Sequence, residues 1–146
     1  MRWIAVFVAL GFTATACGAS PDHRGMSNMS ESSGGGRAIA IATTDALRFE
    51  PASITAKAGE TVTFVVTNNG TLAHEFAIGS KEYHDEMSKM TDHMAHGSSS
   101  MGGAVVAVPA GQTAKLTYTM PDSAPTIACH VDKHDVAGMI GSVTYS

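Results

Sequence analysis

A chain of 146 residues, 44% of them hydrophobic and 15% charged, is long enough for one globular domain with a sizeable core. Thirteen acidic residues against nine lysines and arginines give a formal net charge of -4 at pH 7, and the absence of a basic cluster argues against nucleic acid as a partner. Two cysteines are too few for a disulfide framework.

The N-terminal segment has the features of an export signal. Arg2 supplies a positive start, residues 3–12 an apolar stretch, and residues 14–16 the small side chains that precede a cleavage point. We therefore predict a signal peptide over residues 1–16. Because the small residues run directly into Cys17, the segment resembles a bacterial lipoprotein signal, which implies a lipidated Cys17 that anchors the chain to a membrane. Ordinary signal-peptidase cleavage, which leaves Cys17 as a free thiol, is the alternative.

Either way we expect an exported protein, located in the periplasm or at the extracytoplasmic face of the cell membrane. Residues 17–36 are rich in Gly, Ser, Asn and Asp, and such a composition cannot bury enough apolar surface to fold. This stretch is predicted to be a flexible tether. The folded domain is then expected over residues 37–146.

From Arg37 onward, apolar and polar residues alternate with a period of two, and turn residues recur at short intervals. Strands are predicted over residues 38–49, 53–57, 61–67, 74–78, 104–108, 113–120, 126–131 and 140–145. Many short strands without a long helix predict an all-β protein, a Greek-key β-sandwich.

An insertion over residues 80–103 interrupts this pattern. It is rich in sulfur and imidazole side chains, namely His84, Met87, Met90, His93, Met94, His96 and Met101. If residues 81–95 form a helix, Tyr83, Met87, Met90 and Met94 make one stripe along it. Two interpretations remain open: the stripe packs against the sandwich, or the thioethers and imidazoles bind Cu(I) as a secondary site.

Near the C-terminus, Cys129, His134 and Met139 stand at even spacing, as Cys-x4-His-x4-Met. A thiolate and imidazoles suit copper in both oxidation states, and a His₂Cys set with a weak thioether is an electron-transfer copper site. Gly138 allows the tight turn that returns Met139 to the same ion. His130 falls on the strand face opposite Cys129, so it is interpreted as an outward or second-face histidine, with a part in a second site left open.

The ligand missing from this motif is a second histidine, for which His74 is the candidate. Alternation over residues 72–78 places His74 on the same strand face as Leu72, Phe76 and Ile78. The His74 ring is therefore expected to point inward.

This combination resembles the blue copper proteins, or cupredoxins, over residues 37–146, with spacing similar to that of the auracyanins and rusticyanins. The resemblance implies one type 1 copper per chain. His74, Cys129 and His134 would be its equatorial ligands and Met139 its axial ligand.

The resemblance also implies a function. It predicts a one-electron carrier of the bacterial cell envelope, monomeric, without enzymatic activity, that meets a redox partner protein through His134. The alternative is a copper-tolerance protein whose Met/His-rich insertion sequesters Cu(I). A structural module with an empty site is a third, weaker hypothesis.

Overall fold

The computed structural model describes residues 36–90 and 102–146, which form two β-sheets and one short helix, α1 (Lys81–Met87). The strands in chain order are β1 (Ala38–Thr44), β2 (Arg48–Glu50), β3 (Ser53–Ala56), β4 (Thr61–Asn68), β5 (His74–Gly79), β6 (Ala104–Val108), β7 (Thr113–Thr119), β8 (Thr126–Ala128) and β9 (Ile140–Tyr145). No helix in these two ranges is long and apolar enough to cross a membrane. The predicted signal peptide, Cys17 and all of the predicted tether except Gly36 lie outside the described residues.

The first sheet has the strand order β2-β1-β4-β7, with β1 parallel to β4 and β4 antiparallel to β7. In β4, alternation buries Val62, Phe64 and Val66 in the core and turns threonines outward. On the outer face, threonine hydroxyls of β4 and β7 pair across the strands at 2.9 to 3.0 Å. The outer face of β4 is therefore half-buried and largely polar.

The second sheet, with the order β3-β9-β8-β5-β6, is buried on both faces along β5. On the inner face, the Phe76 ring contacts the rings of Phe49 and Phe64, at centroid distances of 5.6 and 4.9 Å. On the outer face, α1 covers the strand. Tyr83 and Met87 form a separate apolar cluster there with Ala77 and Val105.

Two glycines let α1 lie close to the sheet. Ser80 caps the start of the helix, because its hydroxyl oxygen accepts a hydrogen bond from the Tyr83 backbone N–H. The Tyr83 ring then rests on Gly79 and Gly103, where an added Cβ would lie 2.4 Å from ring atoms. A side chain at either glycine would therefore push the helix away.

The predicted all-β sandwich is confirmed, but three elements differ from the sequence-based expectation by more than one residue at an end. The strand predicted over residues 38–49 is broken into β1 and β2, because Leu47 adopts a positive φ of 54° and β2 turns back antiparallel to β1. The strand predicted over residues 126–131 ends at Ala128. The helix considered for residues 81–95 forms as far as Met87, after which Lys89 and Met90 make i→i−3 backbone bonds. Residues 91–95 lie outside the described part of the chain.

Candidate metal centre

Three side chains of ligand type converge where β5 begins and β8 ends. Ring nitrogens of His74 and His134 and the sulfur of Cys129 lie within 4.8 Å of one another, and all three side chains are buried. Within residues 36–90 and 102–146, no other group of three or more His, Cys, Asp or Glu side chains has such spacing. Met139 is fully buried in the same core cluster as Cys129.

Backbone hydrogen bonds fold the loop between β8 and β9 back on itself. The Asp135 N–H donates to the Cys129 carbonyl at 2.7 Å, and the Met139 N–H donates to the His134 carbonyl at 2.9 Å. Asp132, Lys133 and Gly138 have positive φ values of 47°, 62° and 99° and provide the turns. These turns end the predicted strand after Ala128 and return Met139 to the neighbourhood of Cys129.

His74 is a buried imidazole without a proper hydrogen bond. Neither ring nitrogen has a partner within hydrogen-bond geometry, although the Thr44 carbonyl lies near enough to favour the protonated ring slightly. Burial lowers the pKa of His74, and the His134 ring lowers it further. A neutral ring with a free lone pair inside the protein is prepared to bind a metal ion.

The buried surroundings of Cys129 disfavour its thiolate unless a cation lies next to the sulfur. Burial raises the pKa of its thiol to about 12, although the Glu75 backbone N–H donates to the sulfur at 3.4 Å. The sulfur also lies 3.5 Å from Nδ1 of His134. A metal ion favours the thiolate, since ligation replaces the thiol proton.

These donors fit a copper ion. A buried polar group left unsatisfied costs roughly 1–3 kcal/mol, and an ion between the three side chains satisfies the orphaned nitrogen of His74. Two imidazoles, a thiolate and a thioether are soft and borderline donors that select copper over magnesium or calcium.

Leu72 does not share the inward face expected for it. It is 46% exposed, because β5 begins only at His74 and Leu72 lies in the turn before it. In that turn, the backbone N–H groups of Thr71 and Leu72 donate to the carboxylate of Asp45. The inward direction of His74, in contrast, is as predicted.

Glu75 is a buried residue at this site that the sequence analysis missed. Its carboxylate accepts a hydrogen bond from the His130 backbone N–H at 2.8 Å, and burial raises its pKa to about 7. Alternation placed Glu75 on the outer face of β5, where a charged side chain is normally exposed. Only the insertion that follows β5 directly indicates that this face is covered.

The insertion residues are dispersed. His84 is buried beside His130, Met87 is buried under α1, and Met90 is 42% exposed. His93, Met94, His96 and Met101 lie outside the described residues. The packing interpretation therefore holds for Met87, whereas Met90 remains accessible to a metal ion.

Comparison with known proteins gives a consistent result. The profile of the family described as copper binding proteins, plastocyanin/azurin family, matches residues 37–146. Two similar curated proteins are both named copper-resistant cuproprotein CopI. The one from Rubrivivax gelatinosus is 35% identical, with 73% of this chain and 65% of that protein covered. The one from Pseudomonas aeruginosa is 32% identical, with 86% of each covered. The chain thus spans about two thirds of the length of the first relative and more of the second.

Solved structures with a similar fold include two auracyanins. The Roseiflexus castenholzii protein gives a TM-score of 0.63 at 20% identity, with 77% of this chain and 99% of that chain covered. Auracyanin A from Chloroflexus aurantiacus gives 0.61 at 19% identity, with 75% and 98% covered. At this level of identity the likeness concerns the fold alone.

Proposed function

Since the chain belongs to the plastocyanin/azurin family of copper-binding proteins, we propose that it holds one copper ion between His74, Cys129, His134 and Met139 and serves in copper tolerance. The observation that supports the ion's position is the His74 ring, which is buried, has no hydrogen-bond partner and lies beside Cys129 and His134. The observation that favours tolerance is the likeness to two proteins named for copper resistance.

Each donor has a separate role in this proposal. His74 is fixed at the start of β5, while Cys129 and His134 come from the folded loop, so three donors from two parts of the chain enclose the ion. Met139, buried in the same core cluster as Cys129, would add a weak thioether ligand. A copper ion held by such a set would supply one-electron chemistry. The Glu75 backbone N–H stabilises the charge on the Cys129 sulfur.

The proposal includes no substrate turnover. All four donors are buried, and four protein ligands would leave no open coordination position for a substrate, unlike a catalytic metal site. The chain would act in the cell envelope, exported by residues 1–16 and anchored through a lipidated Cys17, with residues 17–36 as the tether.

Growth in excess copper tests the tolerance role. A host strain that lacks this protein is complemented with the wild type or with Cys129→Ser, at matched protein levels in the cell envelope. We expect the wild type to restore growth and Cys129→Ser to fail, because serine offers no thiolate to copper. Full restoration by Cys129→Ser would contradict the proposed role of this site.

A monomeric electron carrier is the second candidate function. Val136 and Ile140, 81% and 59% exposed, lie just after His134 and Met139 and offer an apolar contact surface to a redox partner. Replacing residues 91–101 with a Gly/Ser segment of equal length separates the two candidates, because α1 remains intact. A tolerance protein should bind fewer Cu(I) ions and support poorer growth in copper, whereas a carrier should be unaffected.

The matched control for this replacement lies in the predicted tether. A Gly/Ser replacement of residues 18–22 changes Ala19, Pro21 and Asp22 in a stretch that contains no Met, His or Cys. Both candidate functions predict that this control binds copper as the wild type does. A loss of Cu(I) from the control as well would show that chain replacement itself, not the removed side chains, causes the effect.

A further inference from the structure

A buried chain of hydrogen bonds joins α1 to the loop that follows Cys129. Nε2 of His84 lies 3.1 Å from the carbonyl oxygen of Thr126, and Nδ1 of His84 lies 2.9 Å from Nε2 of His130. The remaining ring nitrogen of His130, Nδ1, lies 3.1 Å from Oδ2 of Asp135. Both rings are at least nine-tenths buried. None of these residues belongs to the group of His74, Cys129 and His134.

The outer nitrogen of each ring lies against a hydrogen-bond acceptor. The Thr126 carbonyl faces Nε2 of His84 and the Asp135 carboxylate faces Nδ1 of His130, so each outer nitrogen acts as the donor. Ser88 Oγ also reaches His130, at 3.3 Å, but it donates to the nearer His84 carbonyl at 2.9 Å. The inner nitrogens of the two rings are joined to each other by one hydrogen bond.

The two inner nitrogens face each other head-on. The ring centroids are 5.2 Å apart while the nitrogens are 2.9 Å apart, and the difference corresponds to the two ring radii. Nδ1 of His84 and Nε2 of His130 thus lie on the line between the rings, with both lone-pair directions along it. This is the arrangement of two donors on opposite sides of a linear, two-coordinate cation.

We propose that His84 and His130 form a second copper site, in which a cuprous ion replaces the hydrogen bond between the two inner nitrogens and is bound by both of them. The ion enters as Cu(I) and stays Cu(I), and the proton of that hydrogen bond leaves to solvent.

Charge and ligand number select Cu(I) at this place. A divalent ion would bring one positive charge more than Cu(I) into a buried cluster, which is costly. Within residues 36–90 and 102–146, His84 and His130 belong to no group of three or more His, Cys, Asp or Glu side chains with metal-ligand spacing, and two opposed imidazoles suit an ion that accepts two ligands better than one that needs four. The outer nitrogens of His84 and His130 are held by a carbonyl and a carboxylate, as is typical of metal-bound histidines.

The site has room to open. With metal–nitrogen bonds of about 2 Å, the two inner nitrogens must move apart to about 4 Å. Two surface clefts of about 450 and 440 Å³ flank the cluster, and His130, Ser88, Asp135 and Val136 line both of them. Because α1 is held to the sheet mainly by Tyr83 and Met87, a small shift of the helix widens the gap.

The direct test follows the ring nitrogens of the mature, full-length protein. Cu(I) is added without oxygen to ¹⁵N-labelled protein, and the imidazole nitrogens are observed by NMR. We expect Nδ1 of His84 and Nε2 of His130 to shift together while their outer nitrogens remain protonated. Unshifted inner nitrogens in the presence of excess Cu(I) would overturn the proposal, and this experiment needs no substitution that could disturb folding.

A substitution provides the second readout. His84→Gln should bind one Cu(I) fewer than the wild type in competition with bicinchoninate, whereas Asp85→Asn, an exposed neighbour on the same helix, should bind the same number. Equal Cu(I) binding by His84→Gln and the wild type would also overturn the proposal. This inference does not rest on the tolerance role. The thiolate-to-copper absorption of Cys129 reports the first site separately, and His84→Gln should retain it.

Discussion

At the scale of single residues, the histidines and the glutamate that are buried in the described part of the chain cluster around one loop. His74, Glu75, His84, His130 and His134 are all buried, and each contacts the segment from Cys129 to Met139 or a residue bonded to it. Burial of polar groups costs free energy unless they are bonded. Their concentration at one place therefore indicates a binding site rather than a structural core.

The first prediction concerns Met139. Met139→Leu should retain copper and its colour but raise the reduction potential, because a long axial bond contributes little affinity and its loss favours Cu(I). The swap conserves apolar volume, so stability should change by less than about 1.5 kcal/mol. Redox titration of the visible band measures the change, with the core substitution Met120→Leu as the control. Loss of copper from Met139→Leu alone would show that Met139 is not a weak axial ligand.

The second prediction concerns Glu75. Glu75→Ala leaves the buried His130 N–H without its acceptor, which should cost about 1–3 kcal/mol of unfolding free energy. Glu75→Gln keeps an oxygen at the same place and should be closer to the wild type. Urea unfolding of the copper-free protein compares the three. If the alanine variant is as stable as the glutamine variant, the bond to His130 contributes nothing.

At the scale of elements, β4 and β5 show what period-two alternation can and cannot predict. In β4 the outer face is only half-buried and mostly threonine, so Val62, Phe64 and Val66 stand out in the sequence and are the buried apolar residues. In β5 the alternation is present, but α1 covers the outer face and buries Glu75 and Ala77 as well. Covering by another element is a tertiary effect, which the sequence of the strand does not contain.

The loop after β8 shows a second limit. The spacing of Cys129, His134 and Met139 was visible in the sequence, whereas the end of the strand at Ala128 was not. The turn is made by Asp132 and Lys133, both with positive φ. Glycine is the residue that normally indicates such a conformation in a sequence, and neither position is a glycine. Hydrogen bonds within the loop, such as that from the Asp135 N–H to Cys129, hold these residues there.

The third prediction concerns the packing of α1. Met87 is buried against the sheet and Met90 is 42% exposed, so Met87→Ala should cost about 2–5 kcal/mol and Met90→Ala less than about 0.5 kcal/mol. Thermal or urea unfolding of the copper-free domain measures both. Equal effects of the two substitutions would show that α1 does not pack on the sheet as described.

The fourth prediction concerns the turn between β1 and β2. The pKa of Asp45 lies below its ordinary value, chiefly because the Leu72 N–H, and also the Thr71 hydroxyl, donate to its carboxylate. A lowered folded-state pKa stabilises the protein above the unfolded-state value and loses this effect as the pH falls through the folded-state pKa. Asp45→Asn should therefore be less stable than the wild type at neutral pH.

The difference in stability between the wild type and Asp45→Asn should disappear in acid. Well below pH 3.8, the ordinary value for Asp45, wild type and Asp45→Asn should have similar unfolding free energies. Since Asp45 is exposed, the difference at neutral pH is small and should shrink with added salt. Urea unfolding of the copper-free protein at both pH values is the measurement. A difference that persists unchanged in acid would contradict this account.

At the scale of the whole molecule, the two sheets have different tasks. The first sheet carries paired threonines on its outer face, and its inner face contributes apolar side chains to the core. The second sheet provides His74 from β5 and Cys129 after β8, and it supports α1 on its outer face. The proposed copper site thus lies on the core side of the second sheet, and the His84–His130 pair lies beneath the helix. The insertion that interrupts the strand pattern contains α1 and therefore supplies His84 to the His84–His130 pair.

The fifth and most direct test is the visible absorption spectrum of the Cu(II)-loaded mature protein. The thiolate of Cys129 bound to Cu(II) should give an intense charge-transfer band, which Cys129→Ser removes and Cys17→Ser, a change at the chain's other cysteine, leaves intact. His74→Ala should weaken or abolish the band, because it removes an equatorial ligand. A protein that binds Cu(II) without this band, or a band that survives in Cys129→Ser, would contradict the central claim that copper is held by Cys129.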